Sequence, residues 1–192
     1  VTVLTQGDYY LQYFWRQLGN SLFAAAMTCA IVLTVASCAS FAIGRLKVRY
    51  GDVVSNLALM TYLIPASFLA IPMYQVMAAY GLLNSIWALI LSIATFTTPY
   101  AIWVLRQYGD SVPFELDEAA RVDGASPLQI FRLVYIPLIR PAMLAIGSFA
   151  VLHAWNEYLY AFLMLSSEQQ MTLPVAMGLF VRDDDAPWPV LM

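Results

Sequence analysis

Long apolar stretches without a charged residue dominate the pattern of this chain. Between Arg16 and Arg45 lie 28 residues without Asp, Glu, Lys or Arg, and between Asp52 and Arg106 lie 53 more. A single helix of the second length would be about 80 Å long at about 1.5 Å per residue, whereas a bilayer's hydrocarbon core is about 30 Å thick. The second stretch therefore predicts two spans, joined by a turn at 80–85 where Gly, Asn and Ser favour chain reversal.

Four transmembrane helices are predicted from these stretches, over residues 21–44, 54–77, 85–106 and 141–165. Pro65 and Pro72 remove backbone donors inside the second helix and predict a kink there. Because a bilayer offers no water to backbone groups, and because the segments are too long for barrel strands, they are helices. The predicted fold class is all-α, a polytopic membrane helix bundle, and residues 188–192 are interpreted as the start of another span.

The composition agrees with a chain surrounded by lipid. The protein is 61% hydrophobic and 11% charged, whereas soluble domains are roughly 45–50% apolar and about 25% charged. Its mean hydropathy of +0.71 excludes a soluble enzyme, because a chain of this length has too little interior for so much apolar surface. The formal net charge of −3, without a clustered basic face, argues against a nucleic acid partner.

Lysine and arginine are unevenly divided between the two sides that four spans create. One side receives seven of them and the other two: Arg45, Lys47, Arg49, Arg106, Arg121, Arg132 and Arg140 against Arg16 and Arg182. The positive-inside rule places the seven in the cytoplasm, together with the segment 107–140. Both ends and the acidic residues 183–185 then lie outside. Residues 1–192 are interpreted as one transmembrane domain that lacks an N-terminal span and most of its last span.

The segment 111–140 is predicted to form two short helices with a bend between them. Pro113 suits the first turn of the first helix, and Gly124 suits the left-handed turn that closes it. Ser126 and Gln129 form a predicted capping box at the start of the second helix. Pro137 is predicted to end that helix.

An apolar stripe follows the second of these helices, formed by Leu128, Phe131 and Val134 or Tyr135. Because the segment is predicted to lie outside the bilayer, the stripe needs a partner. One interpretation is that the helix pair packs against the membrane helices of its own chain as a linker. The other is that it inserts into a groove of a separate cytoplasmic protein.

A longer string in the same segment carries a resemblance. Glu118-Ala119-Ala120 is followed after three residues by Gly124, and after nine more by 134–137, Val-Tyr-Ile-Pro. This string resembles the EAA loop of ATP-binding-cassette (ABC) importer permeases. The usual ending is Ile, any residue, Leu, Pro, so Val134 and Ile136 are conservative departures.

Further strings resemble one branch of that family, the carbohydrate importers related to the second maltose permease subunit. They spread over nearly the whole chain: Tyr13-Phe14-Trp15-Arg16, Gly19-Asn20-Ser21, Gly81-Leu82-Leu83-Asn84, Pro99-Tyr100-Ala101-Ile102-Trp103, Asp123-Gly124-Ala125, Ala154-Trp155-Asn156-Glu157 and Thr172-Leu173-Pro174. Members of this branch typically have six spans, of which this chain would hold the second to the fifth.

The resemblance implies a permease subunit of an ATP-driven sugar importer in the bacterial inner membrane. A second permease subunit would share the pathway, cytoplasmic ATPase subunits would hydrolyse ATP, and an extracytoplasmic solute-binding protein would deliver the substrate. The chain itself has no GxxxxGK[ST] string for a nucleotide, and no catalytic residue or cofactor is predicted. Coupling to the ATPase, through the loop 111–140, is expected at Glu118, Ala119, Ala120, Asp123, Gly124, Ala125, Phe131 and Pro137.

A second cluster, His153, Asn156 and Glu157, falls inside the predicted helix 141–165. Residues 153 and 157 would lie on one face of that helix, and ionisable groups at membrane depth indicate a functional site. They are candidates to line the pathway, or to relay protons in an ion-coupled secondary transporter, which is the alternative function class. A permease for a non-sugar solute is the nearer alternative. A metal site is not predicted, because one His and one carboxylate are too few ligands for zinc.

Overall fold

The computed structural model describes residues 12–181, which form helices and contain no strand. The helices are α1 (Phe14–Gly44), α2 (Gly51–Thr61), a 3-10 turn (Ala66–Leu69), α3 (Ala70–Ala79), α4 (Ile86–Asp110), α5 (Glu115–Val122), α6 (Pro127–Trp155, with a π turn over Phe131–Tyr135), α7 (Leu159–Met164) and α8 (Leu173–Val181). The all-α prediction is confirmed. The predicted outer loop at 183–185 and the predicted span start at 188–192 lie outside the described residues.

Three of these helices, α1, α4 and α6, are long and apolar enough to cross a membrane. A fourth span is obtained if α2 and the segment Ala66–Ala79 count as one broken span. The predicted spans 21–44 and 85–106 match α1 and α4 except at their ends. The predicted turn at 80–85 is confirmed, since Gly81 (φ 67°) and Asn84 (φ 55°) both adopt the left-handed conformation that reverses the chain.

The second predicted span, 54–77, is broken rather than only kinked. Helix α2 ends at Thr61, and the amides of residues 62–64 bond three residues back instead of four. Pro65 follows directly and has no N–H with which to continue the helix. Pro72 lies in the first turn of α3, where a missing donor costs little.

The fourth predicted span, 141–165, is wrong at both ends. Helix α6 begins at Pro127, passes through Pro141 and ends at Trp155. Residues 156–158 are not helical, and the short helix α7 follows them. Helix α8, which begins at Leu173, was not predicted at all.

The contacts of the chain divide it into two compact units. The first contains 66–93 with the described residues of Val1–Thr28 and Val151–Met192. Side chains at the start of α1 hold the loop 166–172 in this unit: the Asn20 amide donates to the carbonyls of Gln169 (2.9 Å) and Met171 (3.0 Å), and Ser21 Oγ accepts from the amide of Leu173 (2.8 Å).

The second unit contains 29–65 and 94–150, and it includes the whole segment 111–140. Its apolar core joins one face each of α1, α4 and α6, formed mainly by Val32, Ala36, Phe41, Ala94, Ala101, Leu105, Ile130, Tyr135, Ile139, Ala142, Ile146 and Ala150. Small residues on all three helices allow their backbones to approach closely, as is usual where lipid removes the hydrophobic drive between helices. This core supports the candidate site.

Candidate functional site at the helix-glycine-helix segment

Gly124 makes the bend between α5 and α6. Its φ is +84°, and its amide donates to the Arg121 carbonyl (3.0 Å) while the Ala125 amide donates to the Ala120 carbonyl (2.9 Å). These bonds satisfy carbonyls at the end of α5 in the way a left-handed glycine cap does. A Cβ at Gly124 would meet no atom within 4 Å, so there is room for a side chain. Glycine is required because of the positive φ, which other residues rarely adopt. The predicted left-handed turn is confirmed.

The capping box at the start of α6 is also confirmed. The Ser126 hydroxyl accepts from the Gln129 amide (3.4 Å), and the Gln129 side chain accepts from the Ser126 amide (2.7 Å). Pro127 occupies the first helical position. At the other end of the segment, α5 begins at Glu115 with Phe114 as its N-cap, so Pro113 lies before the helix rather than in its first turn.

Pro137 does not end the second helix, contrary to the prediction. The helix widens into a π turn over Phe131–Tyr135, in which the Ile136 amide bonds to the Phe131 carbonyl, five residues back. The wider turn immediately precedes the proline ring, which would clash with a carbonyl four residues back in a regular helix. The second helix of the segment is therefore the first part of α6, which continues to Trp155, and Pro137 lies inside it, half-buried.

The predicted apolar stripe faces two ways. Tyr135 is 1% exposed, and Phe131 packs on Phe41 of α1 with ring centroids 5.1 Å apart, so this part packs on its own membrane helices. Ile130, which the stripe omitted, is buried as well. Leu128 is 57% exposed and makes no part of that core. The linker interpretation is thus right for the inner side of the segment.

The outer side of the segment is a mixed apolar and charged surface. Glu118, Ala119, Asp123 and Gly124 are exposed, while Ala120 and Ala125 are half-buried against the core. Leu116 (44% exposed), Val122 (87%) and Leu128 add large apolar side chains to the same surface. We call Leu116, Glu118, Ala119, Val122 and Leu128 the outer face of the segment.

The inner side of α5 is held by a buried ion pair. Asp117 is the buried residue of this helix, and its carboxylate lies 3.3 Å from Nε of Arg45, the residue that follows α1. Both side chains are almost fully buried, at 5% and 1% exposure. The Arg45 guanidinium also donates to the carbonyls of Gly109 (3.1 Å) and Val112 (2.9 Å) at the end of α4. One arginine therefore joins the ends of α1 and α4 to α5.

Aromatic rings enclose this pair. The Arg45 guanidinium lies 5.5 Å from the ring centre of Phe114 and 5.8 Å from that of Tyr135, within the range of cation–π attraction. The Tyr135 hydroxyl bonds to Ser40 Oγ (3.1 Å), and it lies where a Cβ on Gly109 would be only 2.5 Å away. The glycine is thus required by the position of the tyrosine.

Neither member of this pair is among the site residues predicted from the sequence. Arg45 was interpreted only as a charge that sets orientation, and Asp117 belonged to none of the predicted sites. Helical spacing alone is a weak signal: Asp117 is three residues from both Phe114 and Ala120, which the structure shows half-buried, but Glu118 is four residues from Phe114 and so is its neighbour as well. The burial of Asp117 in the structure is what assigns it to the inner side.

A second ion pair in the same unit is open to solvent. Arg106 contacts Asp52, which is 70% exposed, and lies 3.8 Å from Asp110, which is 47% exposed. Exposed pairs of this kind contribute about 0–1 kcal/mol. Asp52 is therefore a useful control for the buried pair.

His153 and Glu157 do not share a helix face, contrary to the prediction, because α6 ends at Trp155. Glu157 instead lies in the break, and its carboxylate accepts from the Tyr160 amide (3.0 Å) at the start of α7. The Tyr160 hydroxyl donates to the Ala66 carbonyl (2.6 Å). His153 and Glu157 are half-buried, and Asn156 is exposed and donates to the Leu152 carbonyl.

Several apolar spans and an exposed helix-glycine-helix segment at their ends define a helical membrane protein with the architecture of a transport permease. The chain belongs to the family of binding-protein-dependent transport system inner membrane components, whose sequence profile matches residues 36–190. The resemblance to importer permeases is thereby confirmed.

Relatives support this assignment. The chain is 31% identical over 168 residues to the putative ABC transporter permease protein ORF1 of Streptomyces antibioticus, covering 88% of this chain and 73% of that protein. It is 31% identical over 187 residues to the sulfoquinovosyl glycerol transport system permease protein SmoH of Agrobacterium fabrum, covering 95% and 66%. It is 30% identical over 174 residues to the inner membrane ABC transporter permease protein YcjP of Escherichia coli, covering 90% and 62%.

A solved structure has the same fold. The crystal structure of a bacterial ABC transporter involved in the import of the acidic polysaccharide alginate matches with a TM-score of 0.82 and 27% identity, covering 98% of this chain and 64% of that chain. The chain thus spans about two thirds of the length of the proteins it matches.

Proposed function

We propose that this chain is the permease subunit of an ATP-driven sugar importer in the bacterial inner membrane. It would form the translocation pathway with a second permease subunit and receive its substrate from an extracytoplasmic solute-binding protein. The outer face of the helix-glycine-helix segment would bind a separate cytoplasmic ATPase subunit. Glu118, Ala119, Ala120, Asp123, Gly124, Ala125, Phe131 and Pro137 are the proposed coupling residues.

One observation carries the proposal: a short helix outside the long spans exposes an apolar face while its other side is fixed by a buried ion pair. Leu116 and Val122 lie in α5, and Leu128 follows the bend. A surface with apolar side chains beside a carboxylate such as Glu118 suits helix-in-groove docking. Being fixed from behind, such a helix loses little conformational freedom on binding.

Carbohydrate is the proposed substrate class because of the relatives' names. They include permeases for sulfoquinovosyl glycerol, trehalose and arabinooligosaccharides, and the solved structure belongs to an importer of alginate. These proteins differ in their sugars, so the proposal extends to the class and to no particular sugar.

The docking proposal predicts that Val122→Asp weakens ATPase binding. An aspartate at this 87% exposed position leaves folding intact but places an unpaired charge in an apolar contact. We expect the affinity for the ATPase to fall by about tenfold or more, the effect of truncating a central interface residue. The measurement is the amount of the system's own ATPase that co-purifies with the tagged, complete permease.

Val48→Asp is the matched control, since Val48 is an exposed valine in the turn between α1 and α2. It is expected to retain the ATPase. Equal retention by both variants would contradict docking at the outer face.

ATP-driven uptake of amino acids rather than oligosaccharides, measured in proteoliposomes with the binding protein present, would contradict the proposed substrate class.

We also propose that His153, Asn156 and Glu157 line the pathway. They gather polar side chains at a helix break within an apolar region, and irregular backbone at membrane depth is tolerated where protein or a water-filled cavity surrounds it. The bond from the Tyr160 amide gives Glu157 a second role as a cap for α7.

Glu157→Gln separates this role from a proton relay. Glutamine keeps an oxygen that accepts from the Tyr160 amide but cannot carry a proton, so we expect uptake to stay within about twofold of the unmodified protein. Glu157→Ala loses the cap and is expected to lower uptake and stability, by about 1 kcal/mol for the cap. ATP-driven uptake by the reconstituted complete importer is the measurement. Loss of uptake in Glu157→Gln, together with dependence on a proton gradient, would favour the ion-coupled alternative.

A further inference from the structure

Arg45 is the point at which several segments of the second unit meet. It follows α1 directly, forms an ion pair with Asp117 of α5, and donates to two carbonyls, those of Gly109 in α4 and Val112 just beyond it. The ring of Tyr135, in α6, packs against its guanidinium. Four segments of the chain therefore share one side chain.

Helix α5 has few other inward attachments. Of its eight residues, Asp117 is the one that is buried. Ala120 rests half-buried against the core, but a methyl group offers no directional bond. The orientation of α5 relative to the ends of α1 and α4 is therefore fixed mainly by a carboxylate, a planar guanidinium and two carbonyls.

A guanidinium suits this task better than an apolar contact. Its N–H donors lie in one rigid plane, and two hydrogen bonds to the carbonyls of Gly109 and Val112 fix that plane at the end of α4. The charge of the fixed guanidinium then attracts the buried Asp117 carboxylate 3.3 Å away, so rotation of α5 would separate two opposite charges in a buried site. Apolar side chains would allow α5 to slide. A buried ion pair is also a poor device for stability alone, since desolvation offsets most of its attraction.

We propose that Arg45 and Asp117 are positioning residues that transmit displacement of α5 to α1, α4 and α6. This inference rests on the proposed function, in which an ATPase displaces α5. With the pair intact, movement at the outer face moves the membrane helices. With the pair broken, the ATPase still binds the outer face and hydrolyses ATP, but the movement of α5 no longer displaces α1, α4 and α6.

The test compares Asp117→Asn, Arg45→Lys and Asp117→Glu in the complete importer reconstituted with its ATPase and binding protein. Three quantities are measured for each: co-purified ATPase, ATP hydrolysis, and sugar molecules transported per ATP. We expect Asp117→Asn and Arg45→Lys to keep the ATPase and to lower transport per ATP by about tenfold, within the range of typical coupling between sites. Asp117→Glu keeps the charge and is expected to recover part of that ratio.

Asp52→Asn is the matched control, because it removes a carboxylate from the exposed pair with Arg106 in the same unit. It is expected to leave the ratio unchanged. A merely structural role for the buried pair would lower the yield of folded complex and leave transport per ATP at the level of the unmodified importer, which would overturn the proposal. If Asp117→Asn does not fold, an unchanged ratio in both Arg45→Lys and Asp117→Glu overturns it equally.

The two proposals fail differently. Absence of the ATPase from the unmodified complex contradicts the proposed function. Presence of the ATPase in every variant, with a constant transport ratio, contradicts only the positioning role of Arg45 and Asp117.

Discussion

Replacing Gly124 by proline is expected to abolish transport while the membrane helices still form. Gly124 has a φ of +84°, and its amide donates to the Arg121 carbonyl. Proline fixes φ near −65° and has no N–H, so both the bend and the bond are lost. A proline whose φ cannot be met and whose N–H was bonded destabilises by more than about 1 kcal/mol, and this cost falls on the short turn between α5 and α6. Because α1, α4 and α6 have a core of their own, we expect them to persist.

The measurement is sugar uptake and ATPase co-purification for the complete importer, with circular dichroism to follow helix content. Gly124→Asn is the matched control, because asparagine enters the left-handed region more readily than other side chains and no atom lies within 4 Å of its Cβ. It is expected to cost about 1 kcal/mol or less and to retain most of the uptake. Normal uptake and normal ATPase binding in Gly124→Pro would show that the bend is not needed.

The parts of the site that could be predicted are the ones that depend on neighbours in the chain. Gly124 bends the segment, and Ser126 caps the next helix through Gln129, because each acts on backbone groups one to three residues away. Such signals are visible in a short string of sequence. The spans were predictable for a similar reason, since a bilayer demands long apolar helices whatever their partners.

The buried pair was not predictable in the same way. Arg45 and Asp117 are 72 residues apart, and Asp117 is flanked by another carboxylate, Glu118, that remains exposed. Only packing of α5 against the ends of α1 and α4 separates their roles. In the sequence, a charged residue that orients the chain in the bilayer cannot be distinguished from one that forms a buried ion pair between helices.

The helix ends were predicted least well, and tertiary packing explains why. A proline normally ends a helix, but at Pro137 the helix continues, because a π turn precedes the proline and the buried Tyr135 anchors that turn in the core. In contrast, α6 stops at Trp155 although neither glycine nor proline follows. There the Glu157 carboxylate accepts from the Tyr160 amide, a local contact, but the Tyr160 hydroxyl donates to the Ala66 carbonyl, which is far away in the sequence. This second bond stabilises the break from outside the local sequence.

Gly109→Ala is expected to destabilise the protein, although alanine normally stabilises a helix by about 0.5–1 kcal/mol relative to glycine. Its Cβ would lie 2.5 Å from the Tyr135 hydroxyl and 3.1 Å from Cε2 of that ring, and the ring is buried and bonded to Ser40. Forcing it aside costs about 1–3 kcal/mol, as overpacking does elsewhere, and disturbs the face on which Arg45 rests. Thermal unfolding of the detergent-purified protein measures the effect.

Gly19→Ala in α1, where a Cβ meets nothing within 4 Å, is the matched control and is expected to raise the melting temperature. Combining Gly109→Ala with Tyr135→Phe removes the shortest contact, so the pair should lose less than the sum of the single changes. If Gly109→Ala has as high a melting temperature as Gly19→Ala, the buried Tyr135 ring does not require a glycine at position 109.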